Sequence, residues 1–266
     1  MARSVIVLLA LLLGACSSLN FSSNVDETAS WSAQRLYQEA KEALNEGNYQ
    51  TAVRYFERLE ARYPFGRYAQ QAQLEIAYAY YREGESGSAI AATERFIKMH
   101  PNHPNVDYAY YLKGVVNFVE DQNILTKFSN QNPAERDPRS MRDSFAAFKD
   151  LVQRYPDSKY APDAIARMKW LVNALASHEV AVADYYMRRE AFVAAANRAQ
   201  YVLENYPGTP ASEDALYLMG RAYDKLGLTQ LRDDADRVLV KNFPNSPLVR
   251  NGGVRSKVPW WQPWNW

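Results

Sequence analysis

Five prolines, each preceded by an aromatic or histidine ring, cut this chain into successive units: Tyr63-Pro64, His100-Pro101, Tyr155-Pro156, Tyr206-Pro207 and Phe243-Pro244. They lie 37, 55, 51 and 37 residues apart, so two intervals match and two carry 18 and 14 extra residues. Five residues before each proline stand Leu59, Phe96, Leu151, Val202 and Leu239, always apolar. Eight before stand Phe56, Thr93, Phe148, Ala199 and Asp236, a looser column. Seventeen before stand Gly47, Gly84 and Gly227, where a turn between two helices needs a residue free to take positive φ. Eight after the first four prolines come Ala72, Ala109, Ala164 and Ala215, a column of small side chains that marks close approach of two helices. Each unit therefore reads as helix, glycine turn, helix and proline stop, since proline cannot continue a helix and restricts the residue before it.

That unit resembles the tetratricopeptide repeat. The last copy shows the likeness best: Met219-Gly220 and Tyr223 fill the small-residue and aromatic slots, and Pro244 follows Gly220 by 24 residues. Ala40 and Ala77 repeat the register, as do the pairs Ala52/Pro64 and Ala89/Pro101. The expected fold is all-α, a superhelical solenoid of five tetratricopeptide-like hairpins over residues 31–250, each repeat touching only its neighbours. The third repeat holds its 18-residue insertion between its helices, around Glu120 to Asp137, and a loop of that length suggests a partner contact. The fourth has no Gly or Pro between Pro162 and Pro207. Its extra residues must lengthen its helices, by about four turns in total, so two long helices are expected to protrude. Ile165, Met168, Val172, Leu175 and Val182 form a seam along the first of them.

The ends differ from the middle. Arg3 precedes the apolar run Val5 to Leu13, which is too short to span a bilayer of about 30 Å. Residues 1–15 read as a secretory signal. Leu13-Gly14-Ala15-Cys16 resembles the lipobox of bacterial lipoproteins. Cys16 is the only cysteine, cannot form an internal disulfide, and is expected to be the acylated N-terminus of the mature chain. By the sorting rule of that class, Ser17 in place of aspartate implies the outer membrane. Acyl chains contribute about 0.8 kcal/mol per buried CH₂, enough for a durable anchor. Residues 16–30 read as a flexible tether rich in Ser, Asn and Thr, with Ser30 or Ser32 placed to cap the first helix. Residues 251–266 form a tail with Trp260, Trp261, Trp264 and Trp266 near Arg250, Arg255 and Lys257. Such indoles suit a headgroup interface or a partner cleft; the alternative is that they fold back on the last helix.

Cleavage before Cys16 removes one of 31 cations and leaves 30 against 30 anions, so no electrostatic footprint for nucleic acid remains. Nucleotide loops, zinc-protease helices, paired-cysteine motifs and serine elbows are all missing from the sequence. His100 and His103 stand three apart, but Pro101 and Pro104 hold that segment out of helix and make it a turn between repeats. No cofactor, metal or catalytic set is expected, and a binding protein is the better reading than an enzyme.

In the tetratricopeptide family the first helix of each repeat lines the concave face. Counting from Ala40, Ala77 and Gly114 then places Tyr37, Lys41, Gln71, Leu74, Tyr78, Tyr81, Arg82, Tyr108, Tyr111 and Phe118 on it. Rigid aromatics with a polar tip are good anchors for an extended peptide. The plain alternative is that these tyrosines only pack repeat on repeat.

The mature chain as a whole resembles the BamD family, tetratricopeptide lipoproteins of the β-barrel assembly machinery in Gram-negative bacteria. The residues that carry the resemblance are Leu13 to Cys16, Arg62-Tyr-Pro-Phe-Gly-Arg-Tyr68 running into Ile76-Ala-Tyr-Ala-Tyr-Tyr81, His103-Pro-Asn-Val-Asp-Tyr108, and Val182-Ala-Asp-Tyr-Tyr186 with Asn197-Arg198. The Trp-rich tail departs from the shorter polar end expected of that family. The resemblance implies a place on the periplasmic face of the outer membrane beside the other assembly lipoproteins. It implies that the C-terminal repeats, with Arg198, bind BamA, and that the N-terminal repeats receive the terminal strand of unfolded outer-membrane proteins. A barrel strand is apolar, alternating and aromatic-ended, which a tyrosine-lined trough suits. The competing reading is a lipoprotein scaffold for another envelope complex, in cell-wall synthesis, division or DNA uptake.

Overall fold

A computed structural model describes residues 26–118 and 138–250. The leader with Cys16, the insertion of the third repeat and the Trp-rich tail lie outside the described residues. Five helical hairpins follow one another. They are α1 (Ala33–Asn45) with α2 (Tyr49–Arg62), α3 (Arg67–Glu83) with α4 (Ser86–Met99), α5 (Val106–Asn117) with α6 (Pro138–Arg154), α7 (Ala161–Arg188) with α8 (Phe192–Asn205), and α9 (Ala211–Lys225) with α10 (Thr229–Asn242). A last turn of helix, α11 (Pro247–Arg250), follows them. The chain is an all-α solenoid of tetratricopeptide type.

The proline columns are the core. Leu59, Phe96, Leu151, Val202 and Leu239 are all buried, and Ala72, Ala109, Ala164 and Ala215 are fully so. In the third repeat the approach leaves no room for a side chain, because a Cβ on Gly114 would lie 2.4 Å from the Phe148 ring. Ser144 Oγ, one helix turn from Phe148, donates to the Gly114 carbonyl at 2.8 Å and fixes the same contact.

Four of the turns between paired helices share one construction. The amides of Asn48, Glu85, Ala191 and Leu228 each donate back to a carbonyl five residues earlier, at 2.8 to 3.0 Å. The residue before each amide is left-handed: Gly47, Gly84, Glu190 and Gly227, with φ of 80, 88, 59 and 73°. Glu190 is thus the missing fourth member of the glycine column, carried by a residue that signals no turn. With the turn there, α8 has 14 residues like α2, α4 and α10, and all the extra length falls in α7, which has 28. The expectation of two long helices is corrected to one, about 42 Å long. The seam along it is only partly closed: Leu175 is buried, while Ile165 is exposed.

The Pro207–Pro210 turn lines a cavity with Ile165, Met168, Val172 and Asn173 along the first half of α7. First helices of neighbouring repeats touch directly, α1 with α3, α3 with α5 and α7 with α9, whereas the second helices make at most marginal contacts among the described residues. The first helices therefore form the inner wall of the curve.

Residues 26–30, assigned to a flexible tether from composition, are docked on α2. Thr28 is fully buried. Asp26 pairs with Arg58 at 3.1 Å and Arg62 at 2.8 Å, and the Arg62 guanidinium also donates to the Thr28 carbonyl. Hydrogen bonds from Thr28 outweigh burial and, with the two arginines, hold the Asp26 carboxyl below its usual range. Ser32 Oγ then caps α1 by accepting from the Arg35 amide.

Candidate functional site

The inner wall of the first four repeats carries successive groups of partly exposed aromatic rings. Tyr37 on α1 packs against Phe56 and Tyr68, with centroids 5.7 and 5.4 Å away. Its hydroxyl donates to Glu75 at 3.3 Å, and Lys41 bonds the same carboxylate at 2.9 Å. Burial and the adjacent Glu75 charge push the Tyr37 phenol up, so it stays a hydrogen-bond donor. On α3, Tyr78 and Tyr81 lie 6.4 Å apart, and Arg82 donates to the Tyr78 hydroxyl at 2.7 Å while its guanidinium sits over the Tyr49 ring.

The next group is on α5. Tyr108 lies 5.4 Å from Tyr160, and Tyr111 stacks on the same ring at 4.7 Å and 19°. The Tyr111 hydroxyl donates to Asp163 at 2.8 Å, and Arg167 bonds that carboxylate at 2.7 Å. Burial would raise Asp163, but the bonds from Arg167 and Tyr111 outweigh it and hold the carboxyl low. Burial, first of all, and the Glu75 charge push the Tyr108 phenol up. Phe118, the last described residue before the insertion, rests 5.1 Å from Trp170 with Arg167 over its ring at 4.6 Å.

Nine of the ten residues expected on this wall are at least partly exposed, and most meet one another there; Gln71 is exposed. Leu74 is the correction. It is buried with Phe96, Val106 and Ala109 in the core between repeats, and its neighbour Glu75 takes the inner position. Counting along the sequence also missed Tyr68, Tyr160, Asp163, Arg167 and Trp170. The alanine column held the signal for the last repeat of the wall. Asp163 stands one residue before Ala164 as Gln71 and Tyr108 stand before Ala72 and Ala109, and Trp170 stands six after it as Tyr78 stands six after Ala72.

Glu75 and Asp163 on the wall are matched by Lys41 and Arg167, so between these pairs it presents ring faces and phenol edges. A guest chain with apolar or aromatic side chains on alternate positions would cover the rings and leave these ion pairs in place.

Arg198 lies elsewhere, on α8. Its guanidinium bonds Glu179 Oε2 at 2.9 Å, and Arg142 reaches Oε1 at 3.4 Å. The Glu179 side chain is only 3% exposed, whereas Arg142 and Arg198 are about half exposed. Arg198 therefore compensates an internal charge and shows only part of its surface outward. The His100-Pro-Asn-His103 segment is a turn between repeats. Both imidazoles pack on Phe96, His100 bonds Gln73 at 2.9 Å, and burial pushes His103 down.

A sequence profile of the YfiO family, described as outer membrane lipoprotein, matches residues 30–239. A protein of Neisseria meningitidis named outer membrane protein assembly factor BamD is 47% identical over 260 residues, covering 97% of each chain. The chain belongs to the BamD family. A relative from Vibrio cholerae, also named outer membrane protein assembly factor BamD, is 39% identical over 221 residues, covering 83% of this chain and 92% of its own. Among solved structures, a thermophilic tetratricopeptide protein of Thermus thermophilus aligns over 83% of this chain and 96% of its own, with 13% identity and a TM-score of 0.35. The BamD family profile spans the hairpins from α1 to most of α10, so the aromatic wall and the Glu179 cluster both lie inside it.

Proposed function

We propose that this chain is an outer-membrane protein assembly factor whose aromatic trough receives the terminal strand of unfolded outer-membrane proteins and passes it on to BamA. The observation that carries the reading is the run of rings from Tyr37 through Tyr78, Tyr81, Tyr108, Tyr111 and Phe118 to Trp170, laid along the inner wall of four successive repeats. An extended peptide meets one pocket at every second residue, and aromatic walls bind such chains without demanding one sequence. No bond is made or broken in this role. Acylation of Cys16 holds the chain on the periplasmic face of the outer membrane. The C-terminal repeats, with the outward part of Arg198, contact BamA beside the other assembly lipoproteins.

The test is binding of a fluorescent peptide with the alternating, aromatic-ended pattern of a last barrel strand. Tyr111→Ala and Trp170→Ala each remove an anchoring ring and should weaken binding by about tenfold, the effect of roughly 1.4 kcal/mol lost at a hot spot. Substitution of exposed Gly87, which lies outside the trough, should leave it unchanged. Equal affinity in all three variants would place the peptide elsewhere.

A further inference from the structure

One aromatic ring near the chain entry stands almost wholly in solvent among the described residues. Phe65 is 92% exposed, the most exposed large hydrophobic among the described residues. It sits at the apex of the turn between α2 and α3, followed by Gly66 at φ 104°, and no atom lies within 4 Å of where a Cβ on Gly66 would stand. The base of the turn is rigid: Tyr63 donates to the Trp31 carbonyl at 2.9 Å, and the Arg67 guanidinium lies over the Tyr68 ring at 4.9 Å. An isolated surface phenylalanine is ordinary. What distinguishes this one is where the chain enters. Asp26 and Thr28 are clamped to Arg62, three residues before Phe65, so the segment leading from Cys16 joins the solenoid at the foot of the Phe65 turn.

Cys16 is ten residues upstream of Asp26, and a fully extended chain of that length spans at most about 35 Å. Asp26 is therefore within that distance of any bilayer that holds acyl chains on Cys16. The opposite turn, at Gly84 and Glu85, lies a whole helix away, about 25 Å along α3. Asp26 pairs with Arg58 and Arg62, and exposed Glu27 adds a second anion, so the edge has no strong sign of charge and favours contact through the ring.

We infer that the Pro64–Arg67 turn is a second point of membrane contact, with Phe65 seated in the headgroup region of the bilayer that carries the lipid anchor. Phenylalanine beside arginine suits that interface, where the ring enters the acyl boundary and the guanidinium stays in water. The inference rests on the reading of Cys16 as acylated. An acyl anchor alone leaves the solenoid free to swivel; two contacts fix which end of the trough faces the membrane.

The test uses the mature lipoprotein in vesicles of phosphatidylethanolamine and phosphatidylglycerol. Acylation consumes the Cys16 thiol, so Phe65→Cys and Glu85→Cys each carry one free thiol for a fluorescent label. Quenching by nitroxide lipids should be at least about threefold stronger at position 65, because an interfacial ring lies 5–10 Å into the boundary while the other turn stands clear of it. Equal quenching at the two positions overturns the contact and leaves the anchor standing. So does a label at 65 that is shielded from water yet unquenched by lipid, which would mean a protein contact. A free thiol in the parent chain overturns the anchor itself, and the inference with it.

Discussion

The first and last repeats have the same plan and opposite interiors. In α2 the column eight residues before the proline is Phe56, fully buried with Leu36, Leu59 and Ile76; in α10 it is Asp236, and that helix buries only Ala235 and Leu239. Leu231, Val238 and Val240 on α10 are each more than two-fifths exposed. The difference lies in what comes next along the solenoid. α2 is sandwiched between α1 and α3 and sealed by the docked Asp26–Thr28 segment, whereas α10 packs on α9 alone among the long helices. A repeat position is apolar only where a neighbour exists to cover it. Against Gly220 the Asp236 carboxylate also fills space that a larger neighbour would take: a Cβ there would meet its Oδ1 at 2.8 Å.

Two substitutions would break or sharpen this contrast. Phe56→Ala should cost about 3–5 kcal/mol in urea unfolding, the price of emptying a closed core site. Asp236→Ala, in the same column, should shift stability by no more than about 1 kcal/mol. Comparable losses at both positions would mean that the last repeat is as tightly closed as the first.

The next effect concerns the middle of the chain, where Glu179 ties α7 to α6 and α8. Arg198→Ala leaves Arg142 facing the buried carboxylate and should cost about 1 kcal/mol. Removal of both arginines strands the charge and should cost about 3–5 kcal/mol, more than the two single losses together. Under the proposed contact, Arg198→Ala lowers BamA recovery while circular dichroism stays that of the parent. A charge reversal at Arg198 is the poorer probe, since it sets two carboxylates against each other and confuses lost contact with lost fold.

The smallest effect separates the turns. Gly84→Ala forces a side chain into a φ of 88° and should lower thermal stability by about 1 kcal/mol. Glu190→Gly relieves the same conformation at φ 59° and should raise it by up to about 1 kcal/mol. If Glu190→Gly destabilises, the fourth turn is held by its side chain and is unlike the other three.

Much of this architecture was legible because prolines, glycines and alanines mark fixed points of a helical hairpin. The five buried residues before the prolines and the four buried alanines after them were read directly from spacing. The turn at Glu190 was not, because a helix lengthens by any amount without punctuation and glutamate gives no sign of a left-handed residue. Without that turn, the pairing of Glu179 with Arg198 across it was invisible. On the inner wall the choice of Leu74 over Glu75 failed for a geometric reason. Adjacent helical residues point about 100° apart, and the rotation of α3 in its seat decides which of them faces inward. The boundary at Asp26 was missed because a short polar segment owes its order to the distant Arg58 and Arg62, and composition carries no trace of that.

The long α7 carries Asp163, Arg167 and Trp170 on its early turns and Glu179 on a later one, with Leu171 and Ala176 locked into the cores on either side. It is a beam common to both halves, without a joint between them. A tilt of about 5° imposed at the Arg188 end displaces the other end by roughly 4 Å over this length, which is the width of an aromatic contact. Under the proposed function, whatever grips the far end changes the hold on a guest strand mechanically, through one stiff rod.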